Sequence, residues 1–127
     1  MSILNLEKST ILIVEDDDMS FLYLSQIFKL TKSNVIRAKN GSEAIQLSRD
    51  NAMIDLVLMD IQLPDFDGNM VTREIRKFNS KLPIIAQTAG KTLQDKDNAM
   101  EAGCNDVLIK PFKMEELMLI LAKYLHG

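Results

Sequence analysis

The sequence lacks several features that would assign it to common classes of protein. It has one cysteine and one histidine, so it has neither the pair needed for an internal disulfide nor a Cys/His cluster for zinc. No apolar run approaches the roughly 20 residues of a membrane span. Basic residues number 15 against 18 acidic ones, which leaves no basic footprint for a nucleic-acid backbone. We expect a reduced, cytoplasmic protein that contacts neither nucleic acid nor membrane directly.

The length and composition predict a single folded domain. The chain has 127 residues, of which 46% are hydrophobic and 26% charged, as is ordinary for a globular protein. A chain of this size buries roughly 68% of its unfolded surface on folding. We assign residues 9–127 to the domain and residues 1–8 to an N-terminal extension. That extension lacks the small-residue cleavage site of a secretory signal.

Five short β-rich runs alternate with segments of helical periodicity, which predicts five βα units. The runs are Thr10–Val14, Asn34–Ala38, Asp55–Met59, Pro83–Thr88 and Asp106–Ile109. The first and third are apolar almost throughout, as is typical of central strands covered on both faces. Because crossovers between parallel strands are right-handed, we predict an α/β fold: a doubly wound, five-stranded parallel sheet in the flavodoxin-like order 2-1-3-4-5, with helices on both faces.

Capping residues mark several helix ends. Asn40 and Asp67 stand where an N-cap would begin a helix, and Gly103 stands where a helix would end. Asp17 and Asp18 are expected to cap and charge the start of the first helix, where anions are favoured.

Carboxylates follow two of the predicted strands. Glu15 and Asp16 end the first strand, and Asp60 ends the third. Because ligands bind at the carboxyl edge of an open α/β sheet, Asp60 is the first candidate for chemistry. Two unit charges about 4 Å apart repel by about 4 kcal/mol at an effective dielectric of 20, so a cation or a proton should relieve them. Hard oxygen ligands favour Mg²⁺. For Glu15 and Asp16 taken alone, a structural role is an equal alternative.

The fourth and fifth strands end in a hydroxyl and an ammonium. Thr88 closes the fourth run and Lys110 the fifth. Each alone has an ordinary explanation, because threonine is a β-former and a lysine at a strand end is usually solvated. Their joint placement beside the carboxylates predicts a nucleophile with a hydrogen-bond donor and a cationic clamp.

Taken in order, these motifs resemble the receiver domain of response regulators and hybrid histidine kinases in two-component signalling. The resemblance is carried by Ile11–Asp17, Asn40–Ala44, Asp55–Asp60 with Pro64 and Asp67-Gly68, Ile84–Ala89, Ala102–Cys104 and Lys110–Phe112. Each motif alone is weak, whereas all of them at the family's spacing are specific. Together they cover nearly the whole chain after Lys8.

The resemblance implies a phosphorylation site and its metal. Asp60 matches the aspartate that attacks the phosphorus of a phosphohistidine on a histidine kinase or a histidine phosphotransfer protein. Glu15 and Asp16 match the acidic pair that holds Mg²⁺, with Asp60 and the main-chain carbonyl of Gln62 as further ligands. The domain would then be a signalling phosphoacceptor that promotes only its own phosphorylation and dephosphorylation, and not a turnover enzyme.

The resemblance also implies a switch around the phosphoryl group. Lys110 matches the lysine that pairs with that group, and Thr88 the hydroxyl residue that moves towards it. Pro64 and Gly68 belong to the turn after the third strand. Pro111 follows the lysine, in a peptide bond expected to be cis as in similar domains.

Similar domains report phosphorylation through the face made by the fourth helix, fifth strand and fifth helix, which makes that face a candidate for a homodimer or an effector. Here Val107 stands where many similar domains carry an aromatic reporter, and we interpret it as a packing residue. The last helix, Met114–Leu125, is apolar almost all round, so some of Met118, Leu119 and Ile120 should be exposed. Extra core packing is an equal alternative.

Two further positions bear on regulation. Gly90-Lys91 adds backbone freedom to the loop after the fourth strand. His126 is the only histidine and lies next to the C-terminus, without the surroundings of a phosphotransfer histidine. The phosphoryl donor must therefore act in trans.

Other functions remain as alternatives. The segment Asp65–Asn69 mimics the signature of aspartate-nucleophile phosphatases, but Asp65 lies in a loop and Asn69 replaces the final threonine. A flavodoxin-like cofactor binder would need a phosphate loop where Glu15–Asp18 would repel an anion. A degenerate, unphosphorylated interaction domain is disfavoured because the whole set of site residues is present. The chain is either a free-standing regulator or a receiver of a longer hybrid kinase, which its Ala86–Ala89 stretch resembles.

Overall fold

The computed structural model describes residues 3–90 and 92–125, in which five strands alternate with five helices. The elements are β1 (Thr10–Val14), α1 (Asp18–Thr31), β2 (Asn34–Ala38), α2 (Gly41–Asp50), β3 (Leu56–Asp60), α3 (Gly68–Arg76), β4 (Ile84–Thr88), α4 (Leu93–Ala102), β5 (Asp106–Ile109) and α5 (Met114–Tyr124). The strands pair in parallel in the order β2-β1-β3-β4-β5. The predicted fold class and strand order are confirmed.

The two faces of the sheet carry separate apolar layers because side chains alternate along each strand. Ile11 and Ile13 point into a layer covered by α1 and α5, where Phe28 is fully buried. Leu12 and Val14 point into the other layer, which is covered by α2, α3 and α4. Every residue of β1 and β3 is buried, as expected of central strands.

The segment before β1, which the sequence assigns to an N-terminal extension, contributes to the core. Leu6 is buried in the layer with α1 and α5. Its main-chain N–H donates to the carbonyl of Thr31 at the end of α1, at 2.7 Å. The folded core of the domain therefore includes residues that precede residue 9.

Two strands differ from their predicted bounds by one residue. β3 runs from Leu56 to Asp60, one residue later than expected at each end, and β4 begins at Ile84. The Asp55 carboxylate instead accepts a hydrogen bond from the N–H of Thr10. Pro83 has no N–H to pair, and only its carbonyl joins the ladder.

The predicted helix ends are confirmed. Asp17, Asn40 and Asp67 are the N-caps of α1, α2 and α3, and each side chain accepts a hydrogen bond from a main-chain N–H two or three residues further on. Gly103 ends α4 with φ at 114°, in the left-handed region that favours glycine.

The expected exposure of α5 is only partly correct. Met118 is 4% exposed and packs with Leu117 and Leu121 in the layer beneath α5, so its assignment to an interaction face is wrong. Since Leu117 and Leu121 are one turn apart, the adjacent Met118 falls on the same inward side. Leu119 is 71% exposed, and Ile120 is partly buried. Across the described part of the chain, every helix is too short or too polar to cross a membrane.

The turn after β3 depends on Gly68. A Cβ there would lie 2.3 Å from the carbonyl oxygen of Asp60 and 2.7 Å from the Cα of Ile61. We expect Gly68→Ala to destabilise the domain by about 1–3 kcal/mol, because main-chain atoms must move. Urea unfolding measures this. Ser42→Ala, at an exposed position near the start of α2, is the control and should stay within about 0.5 kcal/mol. A stabilised Gly68→Ala, as is usual for glycine in a helix, would contradict the clash.

Candidate functional site

Three carboxylates meet at the carboxyl edge of the sheet. Glu15 directly follows β1, and Asp60 is the last residue of the neighbouring β3. Glu15, Asp16 and Asp60 each offer a carboxylate oxygen, and these atoms lie within 4.8 Å of one another. Glu15 and Asp60 are buried, whereas Asp16 is exposed. The structure thus brings together the acidic residues that the sequence predicts.

Lys110, which directly follows β5, reaches two of these carboxylates. Its Nζ lies 3.2 Å from Asp60 Oδ2 and 3.6 Å from Glu15 Oε1. Its main-chain N–H donates to the carbonyl of Thr88, which ties the residue to the end of β4. Within residues 3–90 and 92–125, Glu15 Oε1 has no hydrogen-bond partner. The four side chains carry more negative than positive charge when ionised.

The surroundings of Glu15 favour its protonated form in the absence of metal. Burial, followed by the nearby Asp60 carboxylate, with which a protonated Glu15 can share its proton, raises the pKa of Glu15 from 4.5 to about 7, and the charge of Lys110 opposes this shift only in part. Desolvation and a like charge both disfavour a carboxylate. A divalent cation bound at the site would favour the ionised carboxylate and so oppose this shift.

The donor set fits magnesium. It consists of carboxylate oxygens, which are hard ligands, and Glu15 offers an oxygen with no hydrogen-bond partner in the described chain. Gln62 lies at the rim of the site, where its N–H donates to Asp60 Oδ1 at 3.1 Å. An isolated bridge between Gln62 and Asp67 holds this turn. The role of the Gln62 carbonyl as a ligand stays a prediction.

The hydroxyl residue lies beside the site without contacting the carboxylates. Thr88 is half-buried at the end of β4, and its Oγ1 accepts a hydrogen bond from the N–H of Gly90 at 2.9 Å. The Lys110–Pro111 peptide bond is cis, as the resemblance implied. Lys91 and His126 lie outside the described residues.

The segment that mimics a phosphatase signature serves a helix terminus. The Asp65 carboxylate accepts hydrogen bonds from the N–H groups of Gly41 and Ser42, at 2.7 and 3.0 Å. It therefore holds the start of α2, and it follows Pro64 in an exposed turn. Because Asp65 does not end a strand, it does not have the position of the nucleophile that the phosphatase alternative requires.

Two residues near the site were missed by reasoning from the sequence. Arg37 on β2 donates hydrogen bonds to the carbonyl oxygens of Glu15 and Asp16. Gln87 on β4 is the register partner of Asp60 and is buried. Its Nε2 has no hydrogen-bond partner in the part of the chain described. Gln87 could have been noticed in the sequence as a polar residue inside an apolar run. The contacts of Arg37 can be recognised only once the pairing of the strands is known.

The Gln87 side chain lines a cleft of about 620 Å³ beside the site. The cleft lies between α1 and the β5–α5 connection. Glu15 and Lys110 also line it, so the charged site is reached from this side. On the opposite side of β5, Val107 is partly buried against the layer with α3 and α4, in agreement with its interpretation as a packing residue.

Fold and site together define a flavodoxin-like α/β protein with a cluster of carboxylates, fit to hold a divalent cation, at the carboxyl edge of its sheet. The family described as response regulator receiver domain matches residues 11–122, and the chain belongs to this family. Such a domain is a phosphoacceptor module of two-component signalling.

Curated relatives carry this domain within longer chains. The transcription factor SKN7 of Saccharomyces cerevisiae is 37% identical over 115 residues, which cover 91% of this chain and 18% of the relative. The regulatory protein AtoC of Escherichia coli K12 is 37% identical over 116 residues, which cover 91% of this chain and 25% of the relative. This chain thus spans well under two thirds of the relatives that it matches.

Solved structures share the fold closely. The receiver domain of the sensor histidine kinase PA1611 from Pseudomonas aeruginosa, solved with a magnesium ion in its active-site cleft, is 36% identical with a TM-score of 0.84, and the match covers 91% of this chain and 96% of that one. The receiver domain of Ssk1 from Saccharomyces cerevisiae, solved with the histidine phosphotransfer protein Ypd1, is 28% identical with a TM-score of 0.86, and the match covers 98% and 91%.

The raised pKa of Glu15 predicts how stability depends on pH without metal. Between about pH 4.5 and 7 the folded state binds more protons than the unfolded state, so this residue stabilises the domain at low pH and the effect is lost as pH rises through 7. In EDTA, Glu15→Gln should therefore become more stable than the wild type by about 1–3 kcal/mol at about pH 8, with little difference at about pH 5. Urea unfolding at both pH values checks this. A difference independent of pH would contradict the assignment.

Proposed function

We propose that Asp60 accepts a phosphoryl group from a phosphohistidine on a partner protein. The observation that carries this proposal is the position of Asp60, buried at the end of β3, with its Oδ2 3.2 Å from Lys110 Nζ. The carboxylates of Glu15 and Asp16 lie alongside. Phosphoryl transfer needs positioning and charge neutralisation more than covalent help, and this arrangement supplies both.

In the reaction, an Asp60 carboxylate oxygen forms the new bond to phosphorus as the bond from phosphorus to the histidine nitrogen breaks. The imidazole leaves with that electron pair and takes a proton from water. Lys110 holds its ammonium beside the attacking oxygen and the incoming phosphoryl oxygens. Glu15, Asp16, Asp60 and the Gln62 carbonyl are the proposed magnesium ligands. Bound magnesium would supply the neutralising charge of the transfer.

The product changes what the surrounding side chains can bond. A phosphoryl dianion on Asp60 gives Lys110 a stronger partner than a carboxylate. It also gives the Thr88 hydroxyl an acceptor for its own proton, whereas in the present structure the Thr88 oxygen only accepts a hydrogen bond, from the Gly90 N–H. Movement of Thr88 away from Gly90 would release the loop after β4, and a local change of this kind can bias a surface between two states.

The donor is proposed to be a histidine kinase or a histidine phosphotransfer protein. The complex of the related Ssk1 receiver with Ypd1 supports the second kind of partner. Access is available through the cleft beside Glu15 and Lys110, whose rim carries the exposed side chains of Met19 and Tyr23 on α1. Apolar side chains around a charged site suit contact with a helix that presents a phosphohistidine.

The cellular context in which the domain acts is also proposed. We infer a cytoplasmic signalling domain that acts alone or as the receiver of a longer hybrid kinase, with any kinase activity belonging to that longer protein. The related receiver of a sensor histidine kinase is compatible with the second arrangement. Turnover of small substrates by this domain is not expected.

The output surface is proposed to lie on α4, β5 and α5. A groove there is lined by Val107, Ile109 and Leu119, and the last two are exposed. Exposed apolar side chains grouped in this way suit a homodimer or an effector. Ile120 lies partly buried in the same groove.

Phosphorylation of Asp60 can be tested with a small acyl-phosphate donor and intact mass spectrometry. With Mg²⁺ we expect one phosphoryl group per chain, because a single aspartate has this environment. Asp60→Asn removes the nucleophile and should show no adduct, as should the wild type in EDTA. Asp55→Asn is the matched control and should still be labelled, because Asp55 lies at the opposite end of β3. An adduct that persists in Asp60→Asn, or forms equally without metal, would refute the mechanism.

The output face can be tested by sedimentation velocity with and without the acyl-phosphate donor. If this face forms the dimer, the phosphorylated wild type should associate and Leu119→Lys should stay monomeric, because a charge cannot be buried there without cost. Met53→Lys, a comparably exposed position outside the face, should behave as the wild type. Both variants should keep their stability within about 0.5 kcal/mol. A phosphorylated wild type that stays monomeric would contradict the homodimer.

A further inference from the structure

Arg37 holds the loop that carries the acidic pair. Its Nε and Nη2 donate to the carbonyl oxygen of Glu15, at 3.1 and 3.0 Å, and its Nη2 also lies 3.3 Å from the carbonyl oxygen of Asp16. These contacts join the side chain of a β2 residue to the end of β1 across the sheet. The guanidinium thus binds two successive main-chain carbonyls in the loop between β1 and α1.

The guanidinium is itself held in place. Its Nη1 forms an ion pair with Asp18 Oδ1 at 2.9 Å, and its Cζ lies 4.4 Å from the centre of the Phe21 ring. Both partners belong to the first turn of α1, and the Arg37 side chain is only 17% exposed. The planar guanidinium of arginine can donate several hydrogen bonds and stack on an aromatic ring at the same time, which the ammonium of lysine cannot do.

We propose that Arg37 is a positioning residue that orients Glu15 and Asp16 for magnesium binding. This inference rests on the proposed function of the site. Glu15 is anchored twice to β2, because its N–H donates to the carbonyl of Ala38 at 3.0 Å while its own carbonyl accepts from Arg37. With both ends of this residue held, its carboxylate is directed to the side where Asp60 lies.

Asp16 depends on this anchor more than Glu15 does. Its side chain is exposed, and among the described residues no hydrogen bond or ion pair to its carboxylate is found. Its main chain is held by Arg37. An exposed ligand whose orientation is set through its backbone loses metal affinity when that backbone is released, and such outer contacts typically change affinity by about 10- to 100-fold.

Positioning and simple electrostatics predict opposite results. A guanidinium close to a divalent cation repels it, so removal of this charge alone should tighten magnesium binding. Loss of the carbonyl contacts should weaken it. The sign of the change therefore separates the two effects.

The experiment measures Mg²⁺ affinity by titration calorimetry at about pH 8, where Glu15 is ionised, for the wild type, Arg37→Gln, Arg37→Lys and Arg49→Gln. Arg49→Gln is the matched control, because it removes the same charge and the same kind of stack, Arg49 lying 4.9 Å from the Phe78 ring. We expect binding about tenfold weaker in Arg37→Gln, an intermediate loss in Arg37→Lys, and no change in Arg49→Gln. The phosphorylation rate at saturating Mg²⁺ should stay within about twofold.

Each outcome decides the inference. Magnesium binding in Arg37→Gln as tight as in the wild type, or tighter, overturns it, as does an equal loss in Arg49→Gln. If Arg37→Gln does not fold, Arg37→Lys decides, and wild-type affinity in that variant overturns the inference. A wild type that binds Mg²⁺ but takes no phosphoryl group refutes the proposed function while leaving the role of Arg37 measurable. A wild type that binds no Mg²⁺ refutes both.

Discussion

Like charges brought together at the edge of the sheet are the constraint on which the site depends. Glu15, Asp16 and Asp60 lie within one cluster, and Lys110 is the cation that contacts the two buried members, Glu15 and Asp60, in the described chain. Buried carboxylates must share a proton or bind positive charge. The raised pKa of Glu15 expresses the first solution, and the fit to magnesium expresses the second. The proposed binding of a metal ion and the proposed transfer of a phosphoryl group to Asp60 both act on this crowding.

The architecture maintains this crowding. Central strands buried on both faces keep β1 and β3 side by side, so the residues that end them cannot move apart without disrupting two apolar layers. Gly68 lets α3 begin against the carbonyl of Asp60, which holds Asp60 from the outer side. Arg37 holds the loop from β2. The repulsion between the acids is thus balanced by contacts made mostly through the main chain.

Much of this arrangement was predictable from the residues. β1, β2 and β5 have the predicted bounds, because runs rich in β-forming residues and flanked by turn residues define short strands. Asp60, Glu15 and Lys110 were predictable because strand ends in a parallel sheet share one edge. Met118 was assigned wrongly, since a helix that is apolar all round does not reveal which side faces the core. Arg37 was missed because the groups that it contacts follow a different strand, and Gln87 because its burial beside Asp60 depends on the strand register.

The order of the motifs by itself determined the family, the strand order and the identity of the acidic, hydroxyl and ammonium groups at the edge of the sheet. These depend on local patterns and on chain connectivity, which a sequence contains. Only the tertiary structure decided the distances between Lys110 and the carboxylates, the present bond of Thr88 to Gly90, and the contacts of Arg37 with the acidic loop. Such contacts join residues far apart in the chain, and they are set by strand register and side-chain packing, which exist only after the sheet has formed.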